Sequence, residues 1–178
     1  MKREAQRLEL RITDTAKKCP IGEVVGQQGL ERERIPVLSC EGACIRGEIA
    51  RLAANMVARE PGYGRGCHGE LITVPRSKIA RWIKSARRVV LIDGCFLRCH
   101  GRVLENLLDE DQLVQFDALG VHRKYVEFFD SDDVPEAERR ATARQVADFV
   151  LRRLNGASEP ARDDAGQLQK GGSPCQSI

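Results

Sequence analysis

Five of the seven cysteines in this chain of 178 residues cluster at chain reversals. Cys40 and Cys44 follow the apolar run 35–39. Cys95 and Cys99 follow the apolar run 89–92, and Cys67 sits in the glycine-rich stretch 61–70. Thiolates bind Zn(II) at about 2.3 Å, so two sulfurs sharing an ion stand roughly 4 Å apart. Residues i and i+4 on a helix lie about 5–6 Å apart at Cβ. A Cys-x-x-x-Cys pair opening a helix can therefore reach one ion, and two such pairs on adjacent strands can complete a tetrahedron. The free N–H groups of a helix start also favour thiolate over thiol. Zn(II) is the leading ion because four thiolates without redox chemistry suit it. An iron–sulfur cluster, which also takes four cysteines, is the alternative. Arg46, Arg98, His100 and Arg102 are placed to offset the negative charge of such a site, and His68 and His100 could each replace a thiolate.

Composition supports reading these as reduced thiols. No apolar run approaches the ~18 residues of a membrane span, and the basic N-terminus has no apolar core, so no signal peptide is expected. An odd cysteine count argues against a disulfide framework, and the expected compartment is the cytoplasm. The net charge of +3 is too small to argue for nucleic-acid binding, and no basic run is interleaved with aromatics. A metal ion is thus the expected partner, with neither nucleic acid nor membrane, and the sequence carries no signal for an oligomeric state. Cys19 and Cys175 read as incidental, and His122 as a surface residue.

Two other motifs compete. Residues 64–69, GRGCHG, fit G-x-G-x-x-G, but the dinucleotide fingerprint needs a strand before it and a helix directly after. A helical run and Pro61 precede it here. Residues 40–46, CEGACIR, fit C-x5-R after a strand. This is similar to the phosphate loop of low-molecular-weight tyrosine phosphatases and arsenate reductases, where the cysteine is nucleophile and the arginine clamps the oxyanion. Gly47 stands where that family has serine, and no Asp-Pro pair supplies a general acid.

The elements that must position these residues alternate. Residues 35–39 read as a buried strand and 41–60 as a helix with Ile45, Ile49, Leu52, Ala53, Met56 and Val57 on one face. Residues 71–74 could form a brief strand. A helix over 75–88 follows, then the strand 89–92, a helix over roughly 95–108, a strand over 112–121 that could extend through 124–129, and a final helix over 133–154 with Asp133 as N-cap. "CPIGEVVGQQG" reads as a loop and "RLELRI" as a possible short strand. This order predicts an α/β fold, a three-layer Rossmann-like domain with a mostly parallel sheet and helices on both faces. Ligands in such sheets bind beyond the carboxyl ends of the strands, where both cysteine pairs fall. The expected organisation is an N-terminal extension over 1–34, an α/β metal-binding domain over 35–154 and a polar tail over 155–178.

With these pieces in place, "LIDGC" and its surroundings resemble the DGC-domain proteins, a family named for Asp93-Gly94-Cys95 and regarded as zinc-binding for its cysteines. The matching parts are Cys40, Cys67, "IDGCFLRC" with Cys95 and Cys99, and "FDALGV", together spanning roughly 35–125. The resemblance implies a zinc site formed by Cys40, Cys67, Cys95 and Cys99, with Cys44 an added thiol, so which four of the five bind stays open. Asp93 and Gly94 read either as an ordinary Asp-Gly turn or as a carboxylate that holds the cysteine loop in shape. Three functions follow: metal handling, sensing or structure; a thiol enzyme using Cys40 and Arg46; or a dithiol redox protein using Cys95 and Cys99. A fully cysteine-liganded ion leaves no open position, so catalysis by the metal would need a ligand to leave.

Overall fold

A strand covered on both faces can be apolar without alternation, and the runs at 35–39 and 89–93 have that character. In the computed structural model, which describes residues 9, 11–13, 15–125, 130 and 132–156, they form β1 (Ile35–Ser39) and β3 (Val89–Asp93). The two pair in parallel, Val37 opposite Val90 and Leu38 opposite Leu91. β2 (Tyr63–Arg65) lies outside β1, and β4 (Leu113–Asp117) lies outside β3. The sheet therefore runs β2-β1-β3-β4, with every pair parallel.

The chain moves one way across this sheet from β1 to β2 and the other way from β2 to β3. Parallel crossovers are right-handed, so opposite directions place the connecting helices on opposite faces. On one face α2 (Ile45–Val57), α6 (Ala118–His122) and α7 (Glu136–Leu154) pack on Val37, Val90 and Ile92. On the other, α3 (His68–Thr73), α4 (Lys78–Ser85) and α5 (Gly101–Leu104) pack Leu71, Ile79, Trp82, Ile83 and Leu104 on Leu38, Val89 and Leu91. The result is the expected three-layer α/β architecture. Residues 89–92 are fully buried, and each such aliphatic side chain contributes about 1.5–3 kcal/mol on burial.

The segment read as a loop at 19–29 is instead part of a helix, α1 (Pro20–Glu31). Its glycines suggest a loop because each costs a helix about 1 kcal/mol. Here they form the packed face. A Cβ on Gly26 would stand 2.2 Å from the Ile79 backbone nitrogen, and one on Gly29 would stand 2.3 Å from the Trp82 ring. Pro20 opens the helix and Cys19 Sγ accepts the Gly22 N–H at 3.4 Å, so Cys19 serves as a cap. Glu23 in turn accepts the N–H of Lys78 at 2.7 Å, at the start of α4, and Glu70 of α3 accepts the N–H of Cys19 at 3.0 Å.

Other boundaries differ from the sequence reading. Residues 71–73 finish the helix α3 rather than forming a strand. α2 begins at Ile45, and the expected helix over 95–108 shrinks to the four residues of α5. The turn before α5 is closed by the Arg98 N–H to the Cys95 carbonyl at 3.0 Å, with Arg98 at φ +48. Neither cysteine pair therefore sits on a helical face. β4 stops at Asp117 because its carboxylate accepts the Gly120 N–H at 3.3 Å and turns the next residues into α6. α7 starts after Pro135 rather than at Asp133. Residues 126–129 of the possible strand extension 124–129 and the polar tail beyond 156, with Cys175, lie outside the described residues, as does half of "RLELRI".

Gly26→Ala is expected to destabilise the protein by ~1–3 kcal/mol through overpacking against α4. A denaturant midpoint equal to wild type, with unchanged amide exchange in α1, would show that α1 does not depend on this close approach.

Candidate metal centre

The connections diverge between β1 and β3, and that is where an open parallel sheet leaves a crevice at its carboxyl edge. The two strands end there in Cys40 and Asp93. The Cys40 N–H still bonds to the Ile92 carbonyl at 2.9 Å, which fixes the thiol beside the strand end. Cys40 is 9% exposed and Asp93 1%. The turn after β3 brings His100 back over them. Among the described residues, one group of three metal-binding side chains comes together, Cys40, Asp93 and His100, with ligand atoms within 4.8 Å of one another.

Close backbone approaches make this possible. A Cβ on Gly94 would stand 2.9 Å from the Arg46 carbonyl carbon and the Gly47 nitrogen, so only glycine lets the turn after β3 sit against the start of α2. A Cβ on Gly101 would meet Asp93 Oδ2 at 2.8 Å and Gln115 Oε1 at 2.3 Å. Arg98 ties the turn to β4. Its Nε–H donates to Gln115 Oε1 at 2.9 Å, and it pairs with Glu105, to which Gln115 also donates at 2.9 Å.

A second network holds the Cys40 side. Arg65, at the end of β2, donates to Ser39 Oγ at 2.5 Å, Glu41 Oε1 at 2.8 Å, Asn55 Oδ1 at 2.9 Å and the Val37 carbonyl at 2.9 Å. Ser39 Oγ donates to the same Glu41 oxygen at 2.7 Å. Burial lowers the Arg65 pKa, opposed by the Glu41 carboxylate. The Gly42 N–H donates to Cys40 Sγ at 3.3 Å.

The electrostatics of the centre turn on Asp93. Burial pushes its carboxyl above the ordinary range, partly offset by the backbone N–H groups of Gly101 and His100 and by the charges of His100 and Arg98. Neither oxygen closes a hydrogen bond of normal geometry, and His100 Nδ1 is also buried without a partner. His68 packs its ring edgewise on His100, centroids 4.6 Å apart. Burial lowers its pKa, and the neighbouring His100 charge acts in the same direction.

Of the residues singled out from the sequence, Cys40, Asp93 and His100 meet. Gly94 supplies the close approach that seats them. Cys44 is the half-buried N-cap of α2 without a side-chain cap bond, and Cys67 is the exposed N-cap of α3. Cys95 is half-buried and Cys99 exposed in the turn after β3. These four thiols share the carboxyl edge, but no three of them gather with Cys40 within 4.8 Å. Arg46 lies on the first turn of α2, and its charge acts on His122 in α6. His122, read as a surface residue, is 8% exposed. Glu41 and Arg65 escaped notice in the sequence. Their only signal there was a charged residue immediately beyond or at the end of a strand.

A sulfur, a carboxylate and an imidazole match the donors that zinc accepts. Tetrahedral donors at 2.0–2.3 Å from an ion stand ~3.3–3.8 Å apart, and the three ligand atoms here lie within 4.8 Å of one another. The unpartnered Asp93 carboxylate fits a cation, since a buried charge is costly unless paired or bound to metal.

Asp93→Asn is expected to raise the stability of metal-free protein at pH 7 by ~1 kcal/mol, because it removes an unpaired buried charge. The sign follows from the raised pKa. The folded state holds the Asp93 proton more tightly than the unfolded state, so its destabilising effect is complete above the raised value and disappears as pH falls below the ordinary one. Chemical denaturation of both metal-free proteins from pH 7 down to ~4 checks this. A wild type that loses more stability than Asp93→Asn on acidification would contradict it.

Comparison with known proteins adds one finding. No curated protein and no solved structure matches the chain. The sequence pattern of the DGC domain matches residues 36–146, from the second residue of β1 into α7, well over half the chain. That span holds Cys40, the Asp93-Gly94-Cys95 turn and His100, and the chain belongs to the DGC-domain family.

Proposed function

We propose that this protein binds a zinc ion in an exchangeable site and serves to handle or pass on that ion. The reading rests on one observation above the rest: a buried Asp93 carboxylate, neither oxygen of which closes a hydrogen bond of normal geometry, comes together with Cys40 and His100. Cys40 Sγ, an Asp93 oxygen and a ring nitrogen of His100 would hold the ion. Zinc bound there would act as a Lewis acid at its remaining position. Structural zinc sites are closed by four protein donors, whereas three donors leave one position for exchange. Cys44, Cys67, Cys95 and Cys99 stand at the same edge, half-buried or exposed, and are proposed as the fourth donor and as transfer ligands. Gly94 and Gly101 keep the backbone close enough for this, and Arg65 with Glu41 orients the Cys40 loop. The six described cysteines are free, which suits a reducing compartment such as the cytoplasm.

A thiol-enzyme reading has one observation in its favour, the Gly42 N–H donating to Cys40 Sγ as an anion-cradling loop would. An iron–sulfur cluster is less suited, since the gathered donors include a carboxylate and an imidazole.

Protein purified without affinity-tag metal is expected to carry about one zinc per chain, measured by plasma mass spectrometry alongside an absorption spectrum. Cys40→Ser, Asp93→Asn and His100→Gln should each weaken zinc binding at least ~10-fold in competition with a chromogenic chelator. Cys67→Ser and Cys99→Ser should keep the zinc but alter its transfer rate to the chelator. Iron with a visible chromophore would move the reading to a cluster. Absence of metal from freshly reduced protein would sink it and leave Cys40 as a candidate nucleophile.

A further inference from the structure

A separate feature stands beside this centre, at the start of α2. His122 is 8% exposed, and its Nδ1 accepts the Lys124 N–H at 3.0 Å. The neutral ring therefore carries its proton on Nε2, which is buried and has no acceptor. The Arg46 Nε–H is buried and lacks an acceptor as well. The Leu119 N–H of α6 bonds to the Gly94 carbonyl at 3.2 Å, and Gly94 lies against the Arg46 backbone, so α6 and the start of α2 meet here, with the Arg46 charge acting on His122. Both are donors, and neither can satisfy the other. Each buried N–H left without an acceptor is costly, so an acceptor is what this place lacks.

Protein carboxylates do not fill it. Asp117, the acid whose charge reaches His122, gives Oδ1 to the Gly120 N–H, and neither of its oxygens bonds His122 Nε2 or Arg46 Nε. Glu48 of α2 is paired with Arg51 at 2.6 Å. Cys44 makes no side-chain cap, and the free N–H groups of a 13-residue helix start attract negative charge. Burial holds the His122 pKa at about 4, so at neutral pH it is an uncharged donor beside a permanent cation.

We propose that the start of α2 binds an oxyanion of the phosphate class, held by the Arg46 guanidinium and the His122 Nε2–H. The guanidinium supplies the charge, His122 supplies a directed donor from α6, and the helix start supplies the favourable field. The proposal does not depend on zinc. Its position does bear on the metal centre, because the Arg46 backbone lies against Gly94, the residue after Asp93.

The test is calorimetric titration of the full-length protein with inorganic phosphate, in metal-free and zinc-loaded forms. His122 is followed by its imidazole nitrogen resonances. Saturable binding with a Kd of ~1 mM or tighter is expected in both forms, with a shift of the His122 Nε2 resonance. Arg46→Met should weaken binding at least ~10-fold at unchanged Tm. His122→Gln, which keeps a terminal N–H donor, should bind better than His122→Leu. Cys40→Ser should bind phosphate as wild type does. Absence of saturable binding, binding confined to the zinc-loaded form, or an Arg46→Met protein with wild-type affinity would each overturn the proposal.

Discussion

The pairing of β1 with β3 is the constraint on which everything at the carboxyl edge depends. Because these two strands are neighbours in space but far apart in the chain, their ends set Cys40 beside Asp93. Their residues are nearly all buried, so helices must cover both faces, and the connections must diverge from the gap between them. The crevice is a consequence of that divergence. What enters the crevice is decided by backbone proximity. Gly94 against Arg46 and Gly47, and Gly101 against Asp93, remove the Cβ atoms that would otherwise prop the elements apart.

The centre combines low and high polarity in an uncommon way. Asp93 is a buried charge whose oxygens close no hydrogen bond of normal geometry, whereas Arg65, on the other side of Cys40, is a half-buried charge with every N–H committed. Satisfied networks rigidify a fold, and unsatisfied groups mark where something else is meant to bind. By that contrast Arg65 holds its loop in place, while the Asp93 oxygens close no hydrogen bond of normal geometry. The same contrast separates Glu48, paired within α2, from Arg46 two residues earlier, whose Nε finds no acceptor.

α1 shows how a helix can hide in a sequence. Three glycines four and three apart lower its intrinsic propensity, yet they allow the helix to dock on α4 at a distance no larger residue would permit. The docking is reciprocal. Glu23 of α1 caps α4, and Glu70 of α3 receives the first N–H of α1. Through α3 this carries on to Cys67 and His68, so a segment without metal-binding chemistry of its own helps position the rim of the centre.

The sequence by itself determined β1, β3 and β4 and the edge where chemistry would gather, whereas β2 lay in a stretch read only as a glycine-rich loop. Apolar β-branched runs of five residues can only be buried, and alternation with helical patterns makes a parallel sheet. It also marked Cys40, Asp93, Gly94 and His100, because each follows such a run or lies within a turn of it. The partnership among them was a matter of tertiary structure. Spacing suggested pairs of thiols on helical faces, a local relation, whereas the turn after β3 is not helical and brings His100 together with Asp93 and the Cys40 thiol. Likewise His122 read as a surface residue because no candidate ligand stands beside it in the chain. Only the packing of α6 on α2 and α7 buries it. Local pattern specifies which groups stand at an edge, while the meeting of groups fifty residues apart depends on strand order and on glycines whose purpose is visible only once two backbones touch.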